Sequence, residues 1–140
     1  MKYRPLKILF ESFEDFMDRG RKDLKEVLKN RKSIVRPKDT LIWASVESYQ
    51  QFMSDQKYTI LATIRKYDPQ SVYQLAKMLN RAQQNVARDC ELLSAHGFIK
   101  FNKTEDGRKT KAPRLVFDYN AIEVHLPRVT YKVEFADNAA

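Results

Sequence analysis

Between residues 71 and 97, apolar side chains recur twice at helical intervals, with a break at Asn80-Arg81. Val72, Leu75, Ala76 and Leu79 stand at i, i+3, i+4 and i+7, which is one face of a helix. Ser71 followed by Gln74 has capping-box spacing, so the start of that helix is marked as well as its face. Ala82, Val86, Cys90 and Leu93 define a second helical face, and Gly97 supplies a left-handed stop. Ala76 is small enough for two helices to cross closely there, and Asn80 tolerates the left-handed conformation a tight turn needs. Two short helices joined in this way predict a helix-turn-helix.

The same pattern organises the rest of the chain. A short apolar run, Leu6 to Phe10, is broken by Lys7. A long helix is then expected from about Ser12 to Lys29 or Asn30, with Phe13, Phe16, Met17, Gly20, Leu24, Val27 and Leu28 on one stripe. Glycine weakens a helix by about 1 kcal/mol relative to alanine, so Gly20 on that stripe suggests that another helix passes close. The stripe is read equally as a dimerisation arm or as an extra core helix. Leu41-Ile42-Trp43 reads as a short strand, with Trp43 packed into a core. A helix from Ser45 to Phe52 or Met53 buries Val46, Tyr49 and Met53, and Ser54-Asp55 caps another, about 55–66, with Ile60, Leu61 and Ile64 inward. Tyr67-Asp68-Pro69-Gln70 is a turn.

After Gly97 the period becomes extended. Phe98–Phe101 and Leu115–Phe117 are β-rich, and Asp106-Gly107 between them is a hairpin-turn signal. Residues 122–126 and 130–135 alternate as strands do, separated by Pro127-Arg128, and could join the preceding hairpin or pair with another subunit. The expected fold is α+β and mainly helical. It comprises an N-terminal helical extension (1–53), a winged helix-turn-helix (54–119) and a C-terminal strand segment with a tail (120–140).

The face of the second short helix opposite its apolar stripe carries Gln83, Gln84, Ala87 and Arg88. Gln suits adenine, Arg suits guanine, and Ala suits a thymine methyl in a DNA major groove. Residues 82–95 are therefore the expected recognition helix. Ser71, Tyr73, Arg81 and Asn85, near helix starts, are candidates for phosphate contact or positioning. A basic wing over 102–113 would bring Lys103, Arg108, Lys109 and Lys111 to the backbone or minor groove.

Residues 45–126 resemble the winged helix-turn-helix regulators of the MarR and ArsR type. The runs Ser71-Val72-Tyr73-Gln74-Leu75-Ala76, Arg81 through Asn85-Val86-Ala87-Arg88-Asp89, and Gly97-Phe98-Ile99 carry the likeness. The chain is most similar to a group of small prokaryotic DNA-binding proteins that end in a segment like Ile122-Glu123-Val124-His125-Leu126-Pro127. Some of that group are regarded as antitoxins encoded beside a toxin. Asn80 departs from the glycine usual in such proteins.

Composition adds three constraints. The net charge is +8 over 140 residues, and it is concentrated. Residues 19–38 hold nine basic side chains against two acidic, and residues 100–114 hold six against two, the footprint of a polyanion binder. In the long helix, acidic Glu14, Asp15 and Asp18 come first and basic residues later, which complements the macrodipole and accounts for part of the asymmetry without a ligand. No apolar run approaches a membrane span and no signal-peptide core is evident, so a cytoplasmic location without membrane association is expected. The single cysteine, Cys90, excludes a disulfide framework and is read as a small core side chain.

No enzymatic constellation emerges. His96 and His125 lack partners at metal-ligand spacing, Cys90 and His96 point to different helix faces, and none of the three glycines builds a phosphate loop. The expectation is a homodimeric, sequence-specific double-stranded DNA-binding regulator, a repressor, with no cofactor or metal. The alternative is an antitoxin that binds a toxin protein through the amphipathic arm or the C-terminal strands and represses its own operon. RNA binding is a third reading, because a basic arm does not distinguish duplexes.

Overall fold

A computed structural model describes residues 2–30, 39–103, 111–126 and 130–135. In chain order they form β1 (Pro5–Phe10), α1 (Phe13–Asn30), β2 (Thr40–Trp43), α2 (Val46–Phe52), α3 (Asp55–Tyr67), α4 (Val72–Leu79), α5 (Gln83–Ala95), β3 (Ile99–Lys103), β4 (Lys111–Leu115), β5 (Ala121–His125) and β6 (Thr130–Glu134). The fold is α+β. It divides into two compact units, one of residues 5–52 and 121–133, the other of residues 1–4, 53–120 and 134–140.

The first unit is built on a four-stranded sheet of order β2-β1-β5-β6. β1 runs parallel to both neighbours, with Phe10 beside Trp43 on one side and Ile8 beside Val124 on the other. Pro5 opens β1, a position where its missing N–H costs no ladder bond inside the strand. Leu6 and Ile8 then alternate inward with no exposed surface, as do Ile122 and, nearly so, Val124 on β5. The apolar run Leu6–Phe10 is thus an interior strand, and α1 is the crossover between two parallel strands. Trp43 is half-buried and packs on Tyr49 and Phe52 of α2, with ring centroids 5.5 and 5.1 Å away.

Two expectations change here. Residues 121–125 do not extend the β3–β4 pair; they lie beside residues 5–8, so the two ends of the chain share one sheet. A partner 116 positions away leaves no trace in local periodicity. Close approach of a helix at Gly20 is not found either. A Cβ built there meets nothing within 4 Å among the described residues.

In the second unit α3, α4 and α5 surround Ile60, Leu61, Leu75, Val86, Cys90 and Leu93, all with no exposed surface, and β3–β4 follows as an antiparallel pair. Local chemistry places each helix end. Ser54 and Ser71 are extended N-caps whose hydroxyls accept from the amides of Lys57 and Gln74. The Gln74 side chain in turn accepts from the Gln70 amide at 2.8 Å. Asn80 is left-handed (φ 52°), and the amides of Asn80 and Arg81 close back on Lys77 and Ala76 carbonyls at 3.1 Å. α5 ends in the same way. Gly97 has φ 88°, its amide bonds the Ser94 carbonyl, and the Phe98 amide bonds the Leu93 carbonyl at 2.9 Å.

The chain leaving the strand pair is tied down by polar contacts. Tyr119, fully buried, donates its hydroxyl to the Phe98 carbonyl at 2.9 Å. Arg114 on β4 donates to the Pro69 carbonyl at 2.7 Å and pairs with Asp68 at 3.2 Å, fixing the α3–α4 connection against the strand pair. Asp68 is itself left-handed (φ 51°), closing α3 onto Ile64.

Candidate nucleic-acid interface

The face of α5 is defined by what it buries. Val86, Cys90 and Leu93 are inward; Gln84 and Arg88, nearly half a turn away, are exposed, Gln83 is exposed as the first residue of the helix, and Ala87, about a quarter-turn from the buried stripe, is half-buried. Asn85 is also exposed. α5 starts without help from its own sequence, since its N-cap is Ala82, no side chain caps it, and its first turn holds no acidic residue. An uncapped positive helix end with amide side chains beside it favours an anionic group.

A groove of about 340 Å³ opens along this end, lined by Gln56, Arg81, Ala82, Asn85, Arg88 and Asp89. Arg81 is held by Asp89 at 2.9 Å, each side chain about one-fifth exposed. That pair joins the α4–α5 turn to the second turn of α5. Of the two roles expected for Arg81, phosphate contact or positioning, this pair is of the positioning kind: it braces the turn. Its Nη1 is buried and meets no acceptor among the described residues. Arg88 is exposed and makes no ion pair among the described residues, so it offers the groove an uncommitted cation.

The other candidates fall in different places. Ser71 is occupied as the α4 cap and half-buried. Tyr73 is half exposed, with the Lys77 ammonium 4.7 Å from its ring centroid. Lys103 and Lys111 face each other across the β3–β4 ladder as its last pair. Arg108, Lys109 and the Asp106-Gly107 turn lie outside the described residues, as does the connection at Pro127-Arg128. On α1, Met17, Gly20 and Leu24 are exposed; the side chains of Phe13, Phe16, Val27 and Leu28 lie outside the described set. Sequence reasoning missed Gln56, Asp89 and Arg114, whose roles depend on neighbours from other elements.

Cys90 has no exposed surface, and burial, with Asp89 adding to it, pushes its thiol up to about 12. The sign follows directly. From about pH 8.5 upward the unfolded chain ionises this thiol while the folded chain holds it neutral, so its contribution to stability declines as pH rises. Native protein at pH 8 should therefore leave Cys90 unmodified by a thiol-reactive dye on a timescale where urea-unfolded protein reacts fully. Comparable labelling of both would contradict the burial.

Among the described residues no group of three His, Cys, Asp or Glu side chains could hold a metal ion, and no helix is long and apolar enough to cross a membrane. By its architecture the chain is an α+β protein with three consecutive helices leading into an antiparallel strand pair. A family model described as HVO_A0114 matches residues 52–124, just over half of the chain, and the chain belongs to that family. No curated protein and no solved structure matches it.

Proposed function

We propose that the unit containing α3–α5 and β3–β4 is a winged helix-turn-helix, and that the chain is a sequence-specific double-stranded DNA-binding transcriptional regulator acting as a repressor. The observation that carries this reading is the composition of the exposed face of α5. Gln83, Gln84 and Arg88 point outward together beside a helix start with no cap of its own. Gln84 and Arg88, four residues apart on one face, with Gln83 at the helix start beside them, can read base edges by paired hydrogen bonds. The Arg81–Asp89 pair fixes the angle at which that helix is offered. β3 and β4 follow at the position of a wing, and the basic residues 100–114 supply charge for the phosphates.

Titrating the full chain against duplex DNA, single strands and a structured RNA hairpin at one salt concentration, near 0.1 M, tests the reading. The duplex should bind tightest, and its affinity, measured again at about 50 and 200 mM salt, should fall steeply. Equal or tighter binding to the hairpin would overturn it.

A further inference from the structure

The β3–β4 sheet has two strands, and a pair of that size holds its shape poorly in water unless it packs on something else. What it packs on therefore decides where its far end, with Lys103 opposite Lys111, is presented. Ile99 and Ala112 are buried and seat the pair, but apolar burial is non-directional. Arg114 supplies the direction. Its side chain is about three-quarters buried, its Nη1 donates to the Pro69 carbonyl at 2.7 Å and to the Pro113 carbonyl at 2.8 Å, and its Nε stands 3.2 Å from Asp68 Oδ1. The acceptors on the α3–α4 connection are themselves fixed. Pro69 is fully buried, and Asp68 is the left-handed residue whose amide closes α3 onto the Ile64 carbonyl.

Arg114 belongs to the basic block 100–114, yet its guanidinium is turned onto the protein's own α3–α4 connection. Lys100 is its partner across the ladder. Like charges directly opposed on two strands repel, so a cation here is unfavourable unless it is engaged elsewhere. A planar fork that bonds two fixed acceptors resists tilting of the strand that carries it, which a single flexible ammonium does not.

We infer that Arg114 is a positioning residue for DNA binding: it meets no phosphate itself, but holds β3–β4 at a set angle to α4 and α5, so that the Lys103–Lys111 end and the face of α5 engage one duplex together. This inference rests on the reading of α3–α5 and β3–β4 as a DNA-binding unit.

Salt titrations of the full chain on its preferred duplex, between about 50 and 200 mM, test it with wild type, Arg114→Met and Arg114→Lys. Releasing the strand pair gives up the contacts of both lysines, so for Arg114→Met the slope of log affinity against log salt should become shallower by about two. Loss of one phosphate contact changes it by about one. Affinity near 0.1 M should fall about tenfold with base preference unchanged. Arg114→Lys keeps the charge without the fork and should behave like Arg114→Met. Asp68→Gly is a second, gentler variant, because glycine keeps the left-handed stop while the acceptor is lost. Removing an acid would by itself tighten binding to DNA; the inference expects weaker binding. Circular dichroism shows that each variant is folded at the temperature of the titration. An unchanged slope for Arg114→Met would overturn the inference. So would a fall of about one that Arg114→Lys restores, which would make Arg114 a phosphate contact, or unchanged or tighter binding by Asp68→Gly. A wild-type chain with no preference for duplex is a separate failure, visible in its own titration, and overturns the functional reading and this inference together.

Discussion

Leu93→Ala should lower the unfolding free energy of the α3–α5 unit by about 2 to 5 kcal/mol, the range for removing a fully buried leucine without collapse of the space it leaves. Leu93 has no exposed surface, and its carbonyl receives the Phe98 amide that stops α5. In a stop of this type the side chains of those two positions usually pack together, and Phe98 too is fully buried. The loss therefore combines a cavity with a loosened junction between α5 and β3. Urea titration followed by circular dichroism gives the value. A change under about 1 kcal/mol would mean that the helix end is held by something other than this packing.

Arg88→Ala should leave that stability nearly unchanged, because the side chain is exposed, while weakening binding to a preferred duplex by about 1 to 3 kcal/mol and relaxing preference at one base pair. Stability and recognition should thus separate on one helix. Leu93 faces one way and Arg88, five residues earlier, faces another. Competition between a preferred duplex and single-base variants measures the effect. An unchanged preference would remove Arg88 from the reading surface, even if overall affinity fell.

The parts of this molecule legible in the sequence are those specified by neighbours in the chain. Ser71 needs only Gln74, Asn80 only the preceding turn, and Gly97 only the last turn of α5, so the helix ends were predictable to within a residue or so. The exposed face of α5 followed by subtraction once Val86, Cys90 and Leu93 were set inward. What was illegible depends on distant partners. Leu6–Phe10 is too short for its period to declare a strand, and only its ladder with Ala121–His125 makes it one. The Arg81–Asp89 pair spans a turn whose geometry had to exist first. The stripe on α1 was visible as amphipathic, but its exposure was not. An apolar stripe in a sequence is the same whether a core or another molecule covers it.

The central claim is that the outward side of α5 reads base pairs. Selection of bound sequences from a random duplex pool, run in parallel with wild-type chain and with a Gln83→Ala, Gln84→Ala, Arg88→Ala triple variant, tests it most directly. The account predicts one enriched motif for wild type and none for the folded triple variant, which keeps only salt-sensitive, sequence-independent affinity. An unenriched pool for wild type, or the same motif from both proteins, would contradict it.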